Sequence, residues 1–434
     1  MTAYQTLGSI LTTTKGKKPK TLRTIPGSGL VPYIDISAVE RGTQRQWADP
    51  TEGRIVPAGS LVIVWDGARS GWVGLTKFEG ALGSTLAALE SPVNKRFLAA
   101  LLKAHFQDIN SNNRGSGIPH VDPDYLRALL VPIVSEREQL RIADLTEAAA
   151  ANVATITQHL SAASRAIDRF RQSVLAAACS GRLTADWRAT HPDIDVCALA
   201  ADLADRKANR SSQRARAVGA IAELDLPEIP QSWSWMSVDS ISRAVVDGVH
   251  KTPNYVNSGV PFITVRNLTA GAGIDFERVK YISEADHRAF TARTKPERGD
   301  ILVSKDGTLG VVRQIDIDRE FSIFVSVAMV KPLLFEMSDY LVIALSSPQV
   351  QTQMVGVGSG LVHLVLRDLK ADGIPVPPME EQHEIVARVQ ALMELADVVS
   401  ERIDRLSANV DRAAIAVLSM VTQGASMVNH EGDQ

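Results

Sequence analysis

Apolar residues recur at alternating steps of three and four along two long stretches of the chain. The first stretch covers residues 142–174, and the second covers 385–417 with one interruption at Arg388. Neither stretch contains proline or glycine, whereas proline precedes and glycine follows each one. This spacing puts the apolar side chains on one stripe of a helix, and the flanking residues are typical helix boundaries. The pattern predicts long helices over residues 135–181 and 379–425.

A stripe this narrow is typical of a heptad seam, which must be buried against another helix. At about 1.5 Å per residue, each predicted helix is a rod of roughly 60 Å. Two such helices of matched length in one chain most simply bury each other, and the alternative is a coiled coil between two copies of the chain. The predicted seam positions are Ile142, Ile156, Leu160, Ile167, Val174, Ile385, Val399, Ile403, Leu406, Val410 and Val417.

The segments before the two helices have the pattern of short β-strands separated by turns. "SLVIVWDG" from Ser60 and "DILVSKDG" from Asp300 are apolar, β-branched runs that end in Asp-Gly, a strand followed by a turn. "EFSIFVSVAMV" from Glu320 alternates like one further strand. Residues 1–134 and 227–378 are therefore predicted to be β-rich, and we call them module one and module two.

The chain also repeats itself. Residues 115–181 align with 358–424 without a gap, at an offset of 243, and the two segments are identical at 17 of 67 positions. Upstream the similarity continues with insertions, as in "PYIDIS" from Pro32 and "PFITVR" from Pro261. Loops tolerate such length changes, whereas a packed register does not. The chain is thus predicted to be two copies of one unit, each a β-rich module followed by a long helix.

A duplicated unit of this kind suits duplex DNA, which has pseudo-twofold axes of its own. A twofold protein places its recognition elements a helical turn or a multiple apart. Two modules of different sequence would read two different half-sites, and the helices would fix the distance between them.

Composition narrows the class of protein. The chain has 434 residues, a formal net charge of −3 and two cysteines. It lacks a signal-peptide-like start, an apolar run long enough for a bilayer, and the cysteine spacing of a disulfide framework or a zinc site. We therefore expect a cytoplasmic protein. The charge argues against a broad basic face that grips nucleic acid alone, so a partner would share the contact.

Catalytic signatures are missing from the motifs that first suggest them. "GVGSGL" from Gly356 lacks the Lys-Ser/Thr of a phosphate-binding loop. "TPNY" from Thr252 differs from the motif of amino-methyltransferases. His120 and His363 occur at the same position of both copies, and a position kept in both halves is interpreted as framework. The connector, residues 182–226, carries a basic run that is interpreted as a solvated helix face, with nucleic-acid contact as the alternative.

Four stretches together resemble the specificity subunit of type I restriction–modification systems, and the resemblance covers essentially the whole chain. They are "LPEIPQSWSW" at the start of module two, "RGDILVSKDGTLG" from Arg298, "LRDLKADGIPVPPMEEQHEIVARV" from Leu366 and "FRQSVLAAACSGRLTADWR" from Phe170. The resemblance implies that each module is a target recognition domain and each helix a conserved spacer. Module one departs from it by lacking the Pro- and Trp-rich start.

The resemblance also implies partners and a division of labour. Double-stranded DNA, two methyltransferase (M) subunits and restriction (R) subunits would bind this chain, with no membrane involved. The chain would hold no cofactor or metal, S-adenosylmethionine would bind the partner methyltransferase, and this subunit would have no catalytic residues.

DNA contacts are expected from basic and amide side chains on the loops of the modules, because phosphates and base edges are read by such groups. The candidates are Lys15, Lys17, Lys18, Lys20, Arg23, Arg45, Arg69, Asn112, Arg114, Lys251, Thr252, Asn254, Arg266, Asn267, Lys305 and Arg313.

The sequence thus predicts an α+β fold with two target recognition domains, each followed by a long helix, and the two helices paired as an antiparallel coiled coil with pseudo-twofold symmetry. A disordered tail is expected over residues 426–434. The predicted function is non-catalytic recognition of an asymmetric bipartite DNA site and recruitment of the methyltransferase and restriction subunits. One alternative is a protein-interaction scaffold with no DNA role, and another is an enzyme whose site lies across the modules.

Overall fold

The structure is a computed structural model that describes residues 3–115, 117–210, 226–292, 295–354 and 363–423. The predicted tail, most of the basic run of the connector and the second Gly-Ser-Gly segment lie outside the described residues. In the ranges that the structure does describe, no helix is long and apolar enough to cross a membrane.

The chain divides into two compact units, and both divisions fall inside the long helices. The first unit holds the described residues of 1–163 and 403–423, and the second holds those of 164–402. The first unit therefore combines module one with the start of one long helix and the end of the other. The second unit combines module two with the complementary helix segments.

The elements of the first unit are, in chain order, β1 (Tyr4–Thr6), β2 (Thr12–Lys15), β3 (Leu22–Arg23), β4 (Val31–Ile34), α1 (Ile36–Arg41), β5 (Trp47–Ala48), β6 (Arg54–Val56), β7 (Leu61–Val64), β8 (Val73–Leu75), β9 (Gly80–Leu82), β10 (Leu86–Glu90), α2 (Lys95–Ala104), α3 (Phe106–Ser111), α4 (Pro123–Ala128), β11 (Leu130–Pro132) and the first part of the long helix α5 (Glu136–Cys179).

Two sheets make up most of module one. β2, β10, β7 and β8 form an antiparallel sheet in that order, and β3, β5, β4, β9 and β6 form a second sheet in which β4 and β9 are parallel. β1 pairs with β11 just before α5. All four residues of β7 are buried, and alternate side chains enter different cores: Leu61 and Ile63 one, Val62 and Val64 the other. A strand covered on both faces has an unbroken apolar run, which is what the sequence shows there.

The elements of the second unit after α5 are α6 (Ala185–Thr190), α7 (Cys197–Arg210), β12 (Ser234–Ser237), β13 (Ser242–Asp247), β14 (Tyr255–Val256), β15 (Val260–Ile263), α8 (Val265–Thr269), β16 (Lys280–Ile282), α9 (Glu284–Thr291), β17 (Ile301–Ser304), β18 (Val312–Gln314), β19 (Ser322–Ile323), β20 (Val327–Pro332), α10 (Ser338–Ser346), α11 (Pro348–Gln351), α12 (Leu366–Ala371), β21 (Gly373–Val376) and the long helix α13 (Met379–Gln423), which ends in the first unit.

Module two repeats the strand order of module one with one exception. β13, β20, β17 and β18 form the first sheet, and β14, β16, β15 and β19 form the second, again with one parallel pair, β15 and β19. β12 pairs with β21 as β1 pairs with β11. Among the described residues of module two, the second sheet has no counterpart of β6. The duplication seen in the sequence is thus a duplication of the fold.

One predicted strand is two strands in the structure. The alternating run from Glu320 divides into β19 and β20, which lie in different sheets. A turn separates them, closed by the Val327 N–H donating to the Phe324 carbonyl at 2.9 Å. The alternating pattern did not reveal the break because apolar residues occur on both sides of it. β19 pairs in parallel with β15.

The long helices have nearly the predicted bounds, and a left-handed glycine, Gly181 with φ 73°, follows α5. Most predicted seam residues are buried or half-buried, but Ile156 and Leu406 are 43% and 51% exposed. In α13 the half-buried stripe passes through Ser407 and Ala414. Leu406 therefore lies beside the half-buried stripe, which passes one residue further along the helix, at Ser407.

Part of the connector is folded against the start of α13. Glu381, which has no exposed side-chain surface, accepts hydrogen bonds from the Thr184 hydroxyl at 2.6 Å and the Trp233 indole N–H at 2.7 Å, and it also pairs with Arg188. A buried carboxylate is tolerated only with partners of this kind. Three stretches that carry the family resemblance therefore meet at one carboxylate.

Candidate nucleic-acid interface

Each module contains the same turn at the end of its central strand. Gly67 and Gly307 occupy the Asp-Gly turns after β7 and β17 with φ of 110° and 70°, which a residue with a side chain rarely adopts. Asp66 is bridged to His120, and Asp306 is bridged to His363, through backbone pairing. The repeated histidine thus lies beside the repeated turn in both copies, as expected for a framework residue.

In module one the turn carries an ion-pair cluster. Asp66 lies 2.9 Å from the ammonium of Lys15, at the end of β2, and 2.6 Å from the Nδ1 atom of His120. Burial alone would raise the pKa of Asp66, but the hydrogen bonds from Lys15 and His120 outweigh burial and lower it. The ammonium of Lys15 is therefore paired with a carboxylate of the protein, although about half of the lysine side chain stays exposed.

Module two has a comparable ion pair, but its lysine lies one residue before Asp306, the counterpart of Asp66. Asp247 ends β13 opposite Ala328, as Lys15 ends β2 opposite Ala87. The ammonium of Lys305, in the turn, lies 2.9 Å from Asp247. Burial raises the pKa of Asp247, and the hydrogen bond from Lys305 more than reverses this effect. Lys305 is only 8% exposed, so its ammonium is engaged by the protein rather than presented at the surface.

Two more predicted contacts have structural roles instead. Asn267 is 5% exposed; its side-chain oxygen accepts from the Thr264 N–H at 3.0 Å, and its amide donates to the Asp275 carbonyl at 3.0 Å. Arg313 donates to the carbonyls of Gly271 and Gly273, and burial lowers its pKa. The side-chain bonds of Asn267 use all of its donors and acceptors, and those of Arg313 use three of its five N–H groups.

Arg69 and Arg114 are paired yet accessible. Arg69 pairs with Glu40 and lies 5.3 Å above the ring of Trp72. Arg114 lies 2.8 Å from both Asp122 and Asp124, and the pKa of Arg114 is raised by Asp124 first and Asp122 second. Their side chains are 47% and 58% exposed.

The remaining candidates lie on the surface. Asn112 donates from its side-chain amide to the Asp108 carbonyl at 2.9 Å and is otherwise exposed. Among the described residues, the other predicted contacts are exposed and form no side-chain ion pair: Lys17, Lys18, Lys20, Arg23, Arg45, Lys251, Thr252, Asn254 and Arg266. Most of them lie in the loop that follows β2 or its counterpart, the loop that follows β13.

Sequence reasoning missed one pair in module two. Tyr255 is 42% exposed, directly after Asn254, and the ammonium of Lys280 lies 4.2 Å from the centre of its ring. The tyrosine ring also packs edge-on against Phe262 at 6.2 Å. The available signal was an aromatic residue beside a polar loop, but the lysine comes from a strand 25 residues away and could not be paired with it from sequence alone.

In the part of the chain that the structure describes, no three His, Cys, Asp or Glu side chains are placed together to hold a metal ion.

Comparison with known proteins gives a consistent result. The family model described as "Type I restriction modification DNA specificity domain" matches residues 3–163 and again 250–408, which is more than half of the chain. The specificity subunit of the type I restriction enzyme EcoBI from Escherichia coli is 27% identical over 406 residues, covering 91% of this chain and 80% of that protein.

Solved structures have the same fold. A chain from a structure of the type I R-M system, determined to explain its complex assembly and conformational transition, superimposes with a TM-score of 0.70 and covers 98% of both chains at 16% identity. The HsdS subunit from Thermoanaerobacter tengcongensis superimposes with a TM-score of 0.52 at the same identity, covering 98% of this chain and 97% of that one.

Proposed function

The chain belongs to the family of the type I restriction modification DNA specificity domain, and we propose that it selects an asymmetric, bipartite DNA site for methyltransferase and restriction subunits. The chain is the specificity component of a type I restriction–modification system, recognises DNA sequence, and is not itself catalytic. The observation that carries the proposal is the double match: one recognition fold occurs twice, with a common framework and different loops.

The two modules read two different half-sites. The shared sheets and Asp-Gly turns supply the same scaffold in both, while the exposed loop residues differ between them. Base edges are distinguished by the donors and acceptors of such side chains, so unlike loops on like scaffolds favour unlike half-sites.

The long helices pair as an antiparallel coiled coil that sets the gap between half-sites. Two contacts support this pairing. In the second unit, Arg171 of α5 lies 2.7 Å from Asp397 of α13. In the first unit, Ala149 and Val153 of α5 line one cavity of about 800 Å³ together with Val417 of α13. Higher numbers in α5 thus meet lower numbers in α13, the order of an antiparallel pair.

Two methyltransferase subunits and the restriction subunits bind this chain, and S-adenosylmethionine binds the methyltransferase. A net charge of −3 supports shared contact with DNA, because phosphate contacts from Lys and Arg supply most of the sequence-independent affinity. We expect the isolated chain to bind duplexes weakly and the complex with methyltransferase to bind them tightly.

Sequencing of the methylated genome, with and without the gene, tests the proposal. Loss of adenine methylation at one bipartite motif is expected, and an unchanged methylome would contradict the function. Exchange of residues 227–378 for another module should alter one half of the motif only. Lengthening both long helices by a few residues should change the gap and leave both halves intact.

Titration of duplexes against the chain with and without methyltransferase tests the shared contact. Affinity that rises with the partner and falls with salt is expected. Equal affinity of the isolated chain would refute sharing, and no salt-dependent affinity in either sample would favour the protein-interaction scaffold.

A further inference from the structure

We propose that one repeated loop carries the residues that distinguish the two half-sites. This reading loop spans residues 17–30 between β2 and β4 in module one and residues 249–259 between β13 and β15 in module two. The inference rests on the proposed function and narrows it from two whole modules to two short segments.

A glycine precedes each reading loop at a position that has no room for a side chain. A Cβ atom on Gly16 would lie 2.2 Å from the Gly83 carbonyl oxygen, and one on Gly248 would lie 2.2 Å from the Ile323 carbonyl oxygen. The Gly16 N–H donates to the Leu86 carbonyl, and the Gly248 N–H donates to the carbonyl of Val327, the counterpart of Leu86 in module two. Close approach of two backbones is a use that only glycine permits, so the point where the loop leaves the sheet is the same in both modules.

The next residues hold both loops on the same course. The Lys17 N–H donates to the Leu82 carbonyl at 3.1 Å, and the Val249 N–H donates to the Ile323 carbonyl at 3.0 Å. Two residues beyond Lys17 and four beyond Val249, a proline is buried in each loop, Pro19 and Pro253. Each loop then forms a two-residue edge strand, β3 or β14, of the second sheet. The backbone is therefore fixed by contacts that do not involve the exposed side chains.

The exposed side chains beside the buried prolines differ between the modules. Lys18 and Lys20 flank the proline of module one, and Thr252 and Asn254 flank that of module two. Lysine is suited to phosphates and to guanine O6 and N7, whereas asparagine is suited to adenine. One loop thus presents two cations and the other presents two neutral hydrogen-bonding groups in corresponding places, as readers of unlike half-sites require.

Module two adds an aromatic group to its loop. Tyr255 follows Asn254, keeps 42% of its surface exposed although Phe262 supports its ring, and lies beneath the ammonium of Lys280. An exposed, supported ring gives apolar contact with a base or sugar, and the lysine beside it suits a phosphate.

Four other candidates are already engaged within the chain. Lys305, Arg313 and Asn267 are held by contacts within the chain. Lys15 belongs to the ion pair of the turn. Lys18, Lys20, Thr252 and Asn254, in contrast, form no side-chain ion pair with the residues that the structure describes, whereas His250, at the start of the module-two loop, lies 3.5 Å from Asp247.

The test exchanges only the residues beside the prolines. Lys18→Thr with Lys20→Asn is made in module one, and Thr252→Lys with Asn254→Lys in module two, each in the full chain bound to its methyltransferase. The methylation motif is then read from a library of duplexes randomised at both half-sites. Each pair of substitutions should change the preferred base by about tenfold or more at positions of one half only, a different half for each pair. Lys95→Thr, an exposed lysine at the start of α2, is the matched control and should leave the motif unchanged.

An unchanged motif in both exchanged proteins would overturn the inference, and so would a change in both halves at once. If methylation is lost altogether, binding to the library decides: retained binding with no preference in one half supports the inference, and retained preference in both halves contradicts it. A wild-type complex that methylates no bipartite motif would instead refute the proposed function.

Discussion

Glu138 and Glu381 occupy the same position near the starts of the two long helices, but their surroundings differ completely. Glu381 is fully buried and is held by Thr184, Trp233 and Arg188. Glu138 instead pairs at the surface with Arg141, one helical turn away, and this pair lowers its pKa. The two copies have the same backbone fold, and the segments that pack on it decide whether the same residue type is a buried partner or a surface ion pair.

The neighbouring strands differ in the same way. Val376, in β21, is fully buried, whereas its counterpart Ile133 is 53% exposed. Gly373 is buried, and its counterpart Leu130 is 54% exposed. In module two, Pro227 also lies over the β12–β21 pair, where its carbonyl accepts a hydrogen bond from the Trp235 indole. The connector and the residues that follow it thus bury a strand pair in module two whose counterpart in module one is exposed.

Removal of the two glutamates should give the largest difference between the copies. Glu381→Ala leaves the buried Trp233 indole N–H without its acceptor and the half-buried Arg188 without its carboxylate partner, and loss of one partner of a buried pair costs about 3–5 kcal/mol. Glu138→Ala removes only a surface pair, worth about 0.5 kcal/mol. Chemical unfolding of both variants measures the difference. Equal losses of unfolding free energy would refute the distinction between the buried Glu381 and the surface Glu138.

The turn ion pairs should give the next largest effect. Lys305→Met removes the hydrogen bond at 2.9 Å to the half-buried Asp247, leaves only the exposed His250 at 3.5 Å, and should lower the free energy of unfolding by about 1.5–3 kcal/mol. Lys15→Met should cost about 1 kcal/mol or less, since half of that lysine is exposed and His120 still contacts Asp66.

A double variant sharpens this test. Asp247→Lys with Lys305→Asp restores an ion pair between the same two positions with the charges reversed. It should recover part of the stability that Asp247→Lys alone loses, as measured by a double-mutant cycle. No recovery would indicate that the two places are not equivalent.

A buried acid should make module two lose stability as the pH rises toward neutral. Asp372 is 4% exposed, and burial, with a smaller effect of Asp368, raises its pKa to about 7. The unfolded carboxyl ionises near pH 4, so the stability contributed by the protonated form is complete below about pH 4 and is lost as the pH rises to about 7.

Asp372→Asn should therefore raise the unfolding midpoint at pH 8, by a gain of about 1–3 kcal/mol, and leave it nearly unchanged at pH 4. The counterpart in module one is Leu129, which carries no charge. Thermal unfolding at several pH values tests this, and an equal gain at pH 4 and pH 8 would contradict the raised pKa.

The sequence predicts the long helices and β7 and β17 well because their signals are local. Forty residues with one apolar stripe are a strong signal, and an apolar run before Asp-Gly fixes both the strand and its turn. The register of the covered stripe was harder, since Leu406 and Ser407 are adjacent and only packing decides between them.

The candidate interface was predicted less well because its outcome depends on distant partners. Lys305 and Lys251 are equally basic in sequence, but Lys305 meets Asp247, 58 residues away, and Lys251 meets no such carboxylate among the described residues. In the sequence Asn267 has the pattern of a loop amide, and only the structure shows that it caps the start of α8 together with Thr264. Loop side chains can be nominated from sequence, and only the fold shows which of them are already engaged.

Lys15 and Asp247 occupy corresponding strand ends but carry opposite charges, and this difference bears on recombination between the repeats. A crossover that joins β13 to the turn of module one would discard Lys305 and bring Asp247 toward Asp66, so that two carboxylates would replace a bonded pair. Hybrids built inside a module would fold less stably than their parents, whereas exchange of a complete module keeps each charge with its partner. New target specificities would therefore arise by shuffling whole modules rather than fragments.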